Sequence, residues 1–222
     1  MKSILLGIAL VFGFSAHAQN TFTIVNRDEV KKALSGDSAI TSYAKLTDRF
    51  NAFDTTMSLR DYRLLYYGFV FQDTYSSNPA EKKKEILEAL KAKRFDEANK
   101  LCDSVLSTYP VSLAANYYKG VALYQAHSNK PDYLPYKARF DNLLSAIFSS
   151  GDGLTCETGF RVISVSDEYM IIYNFIKTDN FYGQSLIDHC DLLKIKPAIN
   201  WPRKEIYFDA SEILKKEADL FK

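Results

Sequence analysis

The sequence is poor in the residues that most often build catalytic and metal centres. Of its 222 residues, only three are histidine, three are cysteine and one is tryptophan. It contains no H-E-x-x-H, C-x-x-C or G-x-S-x-G pattern and neither of the common glycine-rich phosphate-binding patterns. We therefore expect no histidine-built zinc site, no thioredoxin-like centre, no serine-hydrolase elbow and no nucleotide loop. No metal and no cofactor is expected.

The chain also lacks an excess of either charge. Lys and Arg together number 28 and Asp and Glu 27, so the formal net charge is +1. A near-neutral chain with interleaved signs does not carry the basic patch that is typical of proteins binding nucleic acid or anionic membrane surfaces. We therefore expect neither as a partner.

Long apolar runs are absent except at the N-terminus. A positively charged start is followed by an apolar run over residues 4–14 and an A-x-A pattern at 16–18. This three-part pattern is typical of a secretory signal peptide, cleaved after Ala18. The run is shorter than the roughly 20 apolar residues that span a bilayer. We expect residues 1–18 to be removed and the mature chain to be periplasmic or secreted, without a membrane span.

The three cysteines fit an oxidising compartment but do not fix a pairing. Cys102 stands at a helical packing position and is interpreted as a small buried hydrophobe. Cys156 and Cys190 are then the pairing to consider. Spacing alone does not show that they bond, so two free thiols stay the alternative.

Helical spacing of apolar residues dominates residues 19–149. Asn26 predicts one helix start, and the capping-box pattern at Ser58 predicts another. Between residues 82 and 123, the small residues Ala98 and Gly120 and a helix-ending Pro110 resemble the tetratricopeptide repeat, in which small residues let neighbouring helices approach. We predict antiparallel, tetratricopeptide-like helical pairs over this region, preceded by a short strand over 23–25.

The hydrophobic period changes after the Gly151-Asp152-Gly153 turn. Strands are predicted at 160–165, 184–195 and 205–208, with a helix capped by Ser166 and a C-terminal helix starting near Asp209. We predict a small α+β module with a mainly antiparallel sheet over 150–222, packed on the helices as one unit. The fold class is thus α+β, mostly α.

Short stretches stand in a distinctive order along the mature chain. They are Leu65-Tyr66-Tyr67-Gly68, Phe71-Gln72, Ser150-Gly151-Asp152-Gly153, Glu157-Thr158, Val162-Ile163, Asp167-Glu168-Tyr169, Gln184-Ser185-Leu186 and Ile206-Tyr207-Phe208-Asp209. In order and spacing they resemble a family of exported bacterial proteins named only as domain of unknown function 4919. The resemblance implies the same fold and an exported location, and it supplies no catalytic residues.

Carboxylates of the C-terminal module are the candidates for chemistry. They are Asp152, Glu157, Asp167, Glu168 and Asp209. If several converge in a cleft, they could bind Ca²⁺ or act as a paired acid and base. The alternative is structural, because the last three also stand where helix N-termini favour a negative charge or a cap.

Two surfaces are candidates for binding. Tyr182 and Trp201 lie in predicted loops and could stack on a sugar. Asn116, Tyr118 and Lys119 lie in the repeat-like region and could line a concave groove. With no catalytic motif present, this pattern favours a non-catalytic interaction or scaffold module of the bacterial envelope, with a protein partner. A carboxylate-based hydrolase and a metal- or sugar-binding module are the alternatives.

Overall fold

A computed structural model of the chain describes residues 22–35, 42–77, 82–127, 130–178 and 181–219. The predicted signal peptide at 1–18 lies outside these residues. Among the helices that are described, none is both long and apolar enough to cross a membrane.

The described part of the chain is α+β and mostly α, as predicted. The helices are α1 (Arg27–Ser35), α2 (Tyr43–Asn51), α3 (Leu59–Gly68), α4 (Lys83–Lys91), α5 (Phe95–Leu106), α6 (Leu113–Ala126), α7 (Leu134–Phe148), α8 (Val165–Met170) and α9 (Ser211–Asp219). Short 3₁₀ turns stand at Phe69–Phe71 and Pro131–Tyr133, and a π-helical segment, Ile171–Ile176, continues α8. The strands are β1 (Phe160–Arg161), β2 (Phe181–Ile187), β3 (Cys190–Ile195) and β4 (Glu205–Asp209).

Two helix starts follow from local sequence signals. The Asn26 side chain accepts hydrogen bonds from the backbone N–H groups of Asp28 and Glu29, at 2.9 and 3.1 Å. Ser58 and Asp61 form the predicted capping box at the start of α3. Both caps satisfy N–H groups that have no partner within the helix, so these predictions are confirmed.

The strand predicted over residues 23–25 is wrong. This segment carries no strand pairing, because the Thr23 backbone N–H donates a 2.8 Å hydrogen bond to the Ser149 carbonyl just after α7. The Arg63 guanidinium of α3 donates to the Thr23 carbonyl at 2.9 Å. The lead-in is therefore bonded to α3 and to the end of α7, and it adds no strand to the sheet.

Helices α4 to α7 pack as consecutive neighbours along the chain. Helix α5 lies against both α4 and α6, and α6 lies against α7. Ala89, Ala98 and Ala122 form a small, fully buried cluster among α4, α5 and α6. Their small side chains let these helices approach closely, the role that the sequence indicates for Ala98.

The sheet has the order β1-β4-β3-β2, with β2, β3 and β4 antiparallel and the two-residue β1 parallel to β4. The single strand predicted over 184–195 is wrong. It consists of two strands joined by a turn at Asp188 and His189, where Asp188 has a left-handed backbone with φ 53°. The reversal makes β2 an edge of the sheet.

The strand predicted over 160–165 and the cap predicted at Ser166 also differ from the structure. Strand β1 ends at Arg161, and the Ser164 side chain accepts a hydrogen bond from the Asp167 backbone N–H at 3.3 Å. Ser164 is therefore the N-cap of α8. The helix starts two residues earlier than predicted, which shortens the strand before it.

One continuous cluster of buried apolar residues joins the helices to the sheet. It extends from α2 and α3 to β3 and β4. Tyrosine hydroxyls cross the same boundary, since Tyr75 donates to the Ile163 carbonyl at 2.9 Å and Tyr67 to the Arg161 carbonyl at 3.2 Å. The C-terminal elements thus pack directly on the helical part.

Helix α9 is joined to the opposite end of the chain by ion pairs. The buried carboxylate of Glu212 accepts hydrogen bonds from Arg27 of α1 and, at 2.9 Å, from Arg161 of β1. Arg161 also donates to the Val25 carbonyl at 2.7 Å. Three distant segments therefore share one buried charge network.

Candidate functional site

Three of the five predicted carboxylates serve separate local structures. Asp152 accepts hydrogen bonds from the Leu154 backbone N–H at 3.0 Å and the Thr158 hydroxyl at 2.6 Å. Asp209 accepts from the Ser211 backbone N–H at 2.9 Å, just before α9. Glu157 is exposed, and a hydrogen bond from its own backbone N–H is the main cause that lowers its pKa.

The glycines beside Asp152 have the turn geometry that the sequence indicates. Gly153 has a left-handed φ of 70°. A Cβ atom on Gly151 would lie 2.3 Å from the Thr158 carbonyl oxygen, which is closer than any side chain permits. The segment is therefore a tight turn held by Asp152.

The other two predicted carboxylates, Asp167 and Glu168, lie together in the first turn of α8 and are buried. Asp167 accepts a 2.7 Å hydrogen bond from the Tyr66 hydroxyl of α3. Glu168 has no exposed surface, and neither of its oxygens accepts a hydrogen bond from an N–H or O–H donor of the described residues. An ionised carboxylate in such a position would be strongly destabilising.

Glu168 is instead paired with a third carboxyl group, Asp191 of β3. Burial raises the pKa of Glu168 well above its ordinary value, and the nearby charges of Asp191 and Asp167 raise it further. The pKa of Asp191 is also raised by burial, while hydrogen bonds from Gln184 and Glu168 oppose that rise. The raised pKa of Glu168 favours its protonated form, whose proton can be donated to the Asp191 carboxylate.

Polar side chains extend this pair towards the surface. The Gln184 side chain of β2 donates to the Asp191 carboxylate. The Tyr169 hydroxyl donates in turn to the Gln184 side-chain oxygen at 3.1 Å. The network therefore links α8 to strands β3 and β2.

Sequence reasoning missed Asp191. A signal is present, because Asp191, Leu193 and Ile195 stand at every second position of β3 and therefore face the same side of the sheet. Leu193 and Ile195 are buried, so this side faces the core. A carboxyl group at a core-facing strand position needs a buried partner. The pair resembles an acid and base in chemistry, but the complete burial of Glu168 keeps substrates from its carboxyl in this conformation.

Cys156 and Cys190 form a disulfide, with their Cα atoms 5.5 Å apart. His189 lies beside it, because its Nε2 is 3.9 Å from the Cys156 sulfur. The two sulfurs and the imidazole lie within 4.8 Å of one another, a spacing that suits a metal ion. In the disulfide both sulfurs are already bonded to each other, so they are not free to bind a metal ion.

Cys102 is buried and free, and burial raises its pKa to about 12.

The three residues predicted to line a partner-binding groove have internal contacts. Asn116 is fully buried and donates hydrogen bonds to the Pro110 and Ser112 carbonyls at 3.0 and 2.9 Å. Lys119 is buried, ion-paired with Asp103, and has its ammonium 4.7 Å from the Tyr136 ring centroid.

Tyr118 is half-buried, and its ring packs against the Tyr117 ring with their centroids 5.4 Å apart. Side chains that are so engaged stabilise the helical packing. Asn116 and Lys119 do not present a solvent-facing surface to a partner.

The two residues predicted to stack on a sugar are not exposed together. Trp201 is 9% exposed, and its indole N–H donates to the Glu205 carbonyl at 3.0 Å. Tyr182 is 73% exposed, but it lies within β2 and not in a loop. A shared stacking platform would need both rings at the surface.

Tyr182 belongs to β2, an exposed edge strand. Residues 184–187 of this strand were predicted as one continuous strand with β3. Strand β2 reads F-Y-G-Q-S-L-I and contains no charged residue. Large apolar side chains are exposed along it: Phe181, Tyr182, Leu186 and Ile187. Its other edge pairs with β3, and among the described residues no strand pairs with its outer edge. A shift of register near Tyr182 leaves a regular stretch from Gly183 to Ile187.

Comparison with known proteins confirms the resemblance found in the sequence. The family model described as Domain of unknown function (DUF4919) matches residues 28–219, which is most of the chain. No curated protein and no solved structure matches this chain.

Proposed function

We propose that this chain, which belongs to the DUF4919 family, is a non-catalytic protein-binding module of the bacterial cell envelope. In this proposal the outer edge of β2 pairs with an extended segment of a partner protein. The observation that carries the proposal is that β2 is an uncharged edge strand with large apolar side chains in solvent.

An unprotected edge of this kind is unusual in a protein that acts alone. Native edge strands are commonly shortened, covered, or interrupted by lysine or proline, because their free N–H and C=O groups pair with other strands. Strand β2 is seven residues long and has none of these charges or prolines. A bulge near its start leaves Gly183 to Ile187 regular and open.

The chemistry of β2 also restricts the occupant. Leu186 and Ile187 are exposed and point to opposite faces of the sheet, so an added strand would contact apolar surface on both faces. Backbone hydrogen bonds would supply affinity, and alternating side chains would supply selectivity. A charged segment would bury charge without a partner, so we propose an uncharged, apolar extended segment.

Several observations support a location in the cell envelope and a non-catalytic role. The N-terminal pattern is that of a signal peptide, and the Cys156–Cys190 disulfide suits an oxidising compartment. Glu168 is fully buried, and Asp152 and Asp209 hold local turns. Consecutive packing of α4 to α7 supports the proposed tetratricopeptide-like pairing.

The test places a photoreactive amino acid at Leu186 or at Ile187 in cells that export the chain. The control position is Tyr124 of α6, which is also exposed. We expect both strand positions to form an adduct with the same envelope protein and the control to form none. Mass spectrometry of the purified chain should find its N-terminus at Gln19.

A second measurement distinguishes a partner that pairs with β2 from a protein that is crosslinked only because it lies nearby. The identified partner is purified, and amide hydrogen exchange of β2 is measured with and without it. We expect new protection of the amides between Gly183 and Ile187 that point away from β3, lost in Ser185→Lys and kept in the control Ser145→Lys on the exposed face of α7. Adduct formation that is unaffected by Ser185→Lys, or β2 amides that stay unprotected, would overturn the proposal.

A further inference from the structure

A cavity of about 560 Å³ opens between α2, the segment after it, α3 and α7. Its size lies within the range of small-molecule sites. The walls are mostly apolar and aromatic, and they include Phe50, Phe53, Met57, Tyr62 and Leu134. One cation, Arg139 of α7, also lines it.

Arg139 is a buried cation without a carboxylate partner. Only 7% of the residue is exposed, and its Nη2 donates a 2.7 Å hydrogen bond to the Phe50 carbonyl. Its Nε is buried and has no hydrogen-bond partner among the described residues. No carboxylate of the described residues forms an ion pair with it. Buried charges are ordinarily paired with an opposite charge. A bound anion would supply the partner that Arg139 lacks among the described residues.

Aromatic rings surround the guanidinium but accept no strong hydrogen bond from it. Its carbon lies 3.8 Å from the Phe53 ring centroid, 4.3 Å from that of Phe50 and 5.4 Å from that of Tyr136. Such contacts offset part of the cost of burial. Burial lowers the pKa of Arg139 to about 10, so the guanidinium is still charged at neutral pH.

The ring closest to Arg139 is held there by an unfavourable backbone. Phe53 has a left-handed φ of 54° just after α2, a position where glycine is the usual residue. Backbone hydrogen bonds from Phe53 to the Phe50 carbonyl and from Asp54 to the Arg49 carbonyl end α2 in this conformation, and the turn places the Phe53 ring over the cation.

The carboxylate that lines the same cavity, Asp54, is held by groups other than Arg139. Asp54 accepts hydrogen bonds from the Thr56 backbone N–H at 2.8 Å and from Arg49 Nε at 2.7 Å. Hydrogen bonds from Thr56 and Arg49 hold the pKa of Asp54 at about 2. Asp54 is thus held by Thr56 and by Arg49, which also pairs with Asp61 at 3.3 Å, and no ion pair joins Asp54 to Arg139 among the described residues.

We infer that this cavity binds a small organic monocarboxylate with an apolar body. The carboxylate would lie on the guanidinium of Arg139, whose planar fork suits that group. The apolar body would pack against Phe53, Met57 and Leu134, which line the cavity. The site shares no residue with β2, so it is a further activity and does not depend on the proposed strand addition.

Titration calorimetry of the mature chain with decanoate tests the inference, with decanol as the neutral probe of the same length. We expect one decanoate per chain and binding at least tenfold weaker for decanol, because decanol lacks the carboxylate that accepts charge-assisted hydrogen bonds from the Arg139 guanidinium. Inorganic phosphate at the same ionic strength should fail to displace decanoate, since it lacks the apolar body.

Matched variants locate the binding. Arg139→Met keeps most of the length and apolar contact of the side chain and should lose at least tenfold in decanoate affinity. Arg63→Met is the control, because Arg63 also contacts a ring, that of Tyr67, and donates to a carbonyl, that of Ser149, but does not line the cavity.

Equal affinity for decanol, displacement of decanoate by phosphate, absence of decanoate binding, or unchanged affinity in folded Arg139→Met would each overturn the inference. If Arg139→Met does not fold, the comparison of decanoate with decanol in the unaltered chain still decides it.

Discussion

The Tyr66 hydroxyl donates a 2.7 Å hydrogen bond to the Asp167 carboxylate, which lies 101 residues further along the chain. Both residues are almost completely buried. The same hydroxyl accepts a 3.2 Å hydrogen bond from the Ile163 backbone N–H. One tyrosine of α3 therefore satisfies two polar groups at the start of α8.

Replacing Tyr66 by Phe should destabilise the fold by about 2 to 3 kcal/mol, because it removes the partner of a buried N–H and a donor to a buried carboxylate. Chemical denaturation followed by circular dichroism measures this loss. Tyr124→Phe is the control, since Tyr124 is exposed. A Tyr66→Phe variant as stable as the unaltered chain would contradict the role assigned to this hydroxyl.

Glu168 should make stability fall as pH rises. Its pKa is raised in the folded state, so the folded chain keeps a proton that the unfolded chain releases above about pH 4.3. The stabilising contribution is complete below that pH and is lost as pH rises towards the folded pKa, by at most about 1.4 kcal/mol per unit.

Unfolding free energies measured between about pH 4 and pH 8 test this dependence. In Glu168→Gln the amide can still donate to Asp191 and does not ionise, so the fall should be much reduced. Glu88→Gln, on the exposed face of α4, should leave the profile of the unaltered chain. A Glu168→Gln profile parallel to that of the unaltered chain would show that Glu168 is ionised in the fold.

Reduction of the Cys156–Cys190 disulfide should lower the unfolding free energy by about 3 to 4 kcal/mol, the value expected for a closed loop of 34 residues. Thermal unfolding with and without a dithiol reductant gives the difference. The double variant Cys156→Ala/Cys190→Ala should be insensitive to reductant, because the remaining Cys102 is buried and free. Equal stability of the oxidised and reduced chains would contradict this contribution.

Asn116 should behave as a structural residue. Its side chain donates to the Pro110 and Ser112 carbonyls, so Asn116→Ala should cost about 1 to 3 kcal/mol of stability. Ser145→Ala removes a side-chain hydrogen bond to the Asp141 carbonyl at an exposed position and should cost less than about 0.5 kcal/mol. Denaturation curves of the two variants give the comparison, and equal costs would contradict it.

Local signals predicted the parts of the fold that depend on neighbouring residues. Asn26 and Ser58 were identifiable as caps because their partners lie two or three positions away. The turn at Asp188 and His189 was missed because one aspartate within an otherwise strand-like run is a weak turn signal, and the pairing of β2 with β3 fixes the conformation.

The candidate sites were harder to predict because they depend on distant contacts. Glu168 was recognised as a carboxylate at a helix start, but its partner Asp191 comes from strand β3. Arg139 resembles an ordinary helix-surface arginine in the sequence, and it is buried only because Phe50 and Phe53 of the α2 region cover it. Burial of a charge is decided by the tertiary structure.

The Glu212 carboxylate has a practical consequence for protein production. A fragment that starts after α1 removes Arg27 from Glu212, and one that stops before α9 removes Glu212 and leaves Asp209 as the ion-pair partner of Arg161. Removing one member of a buried ion pair destabilises a fold. Complementary fragments divided near residue 150 separate Arg27 from Glu212 and should therefore be recovered best by co-expression, which lets this buried pair form.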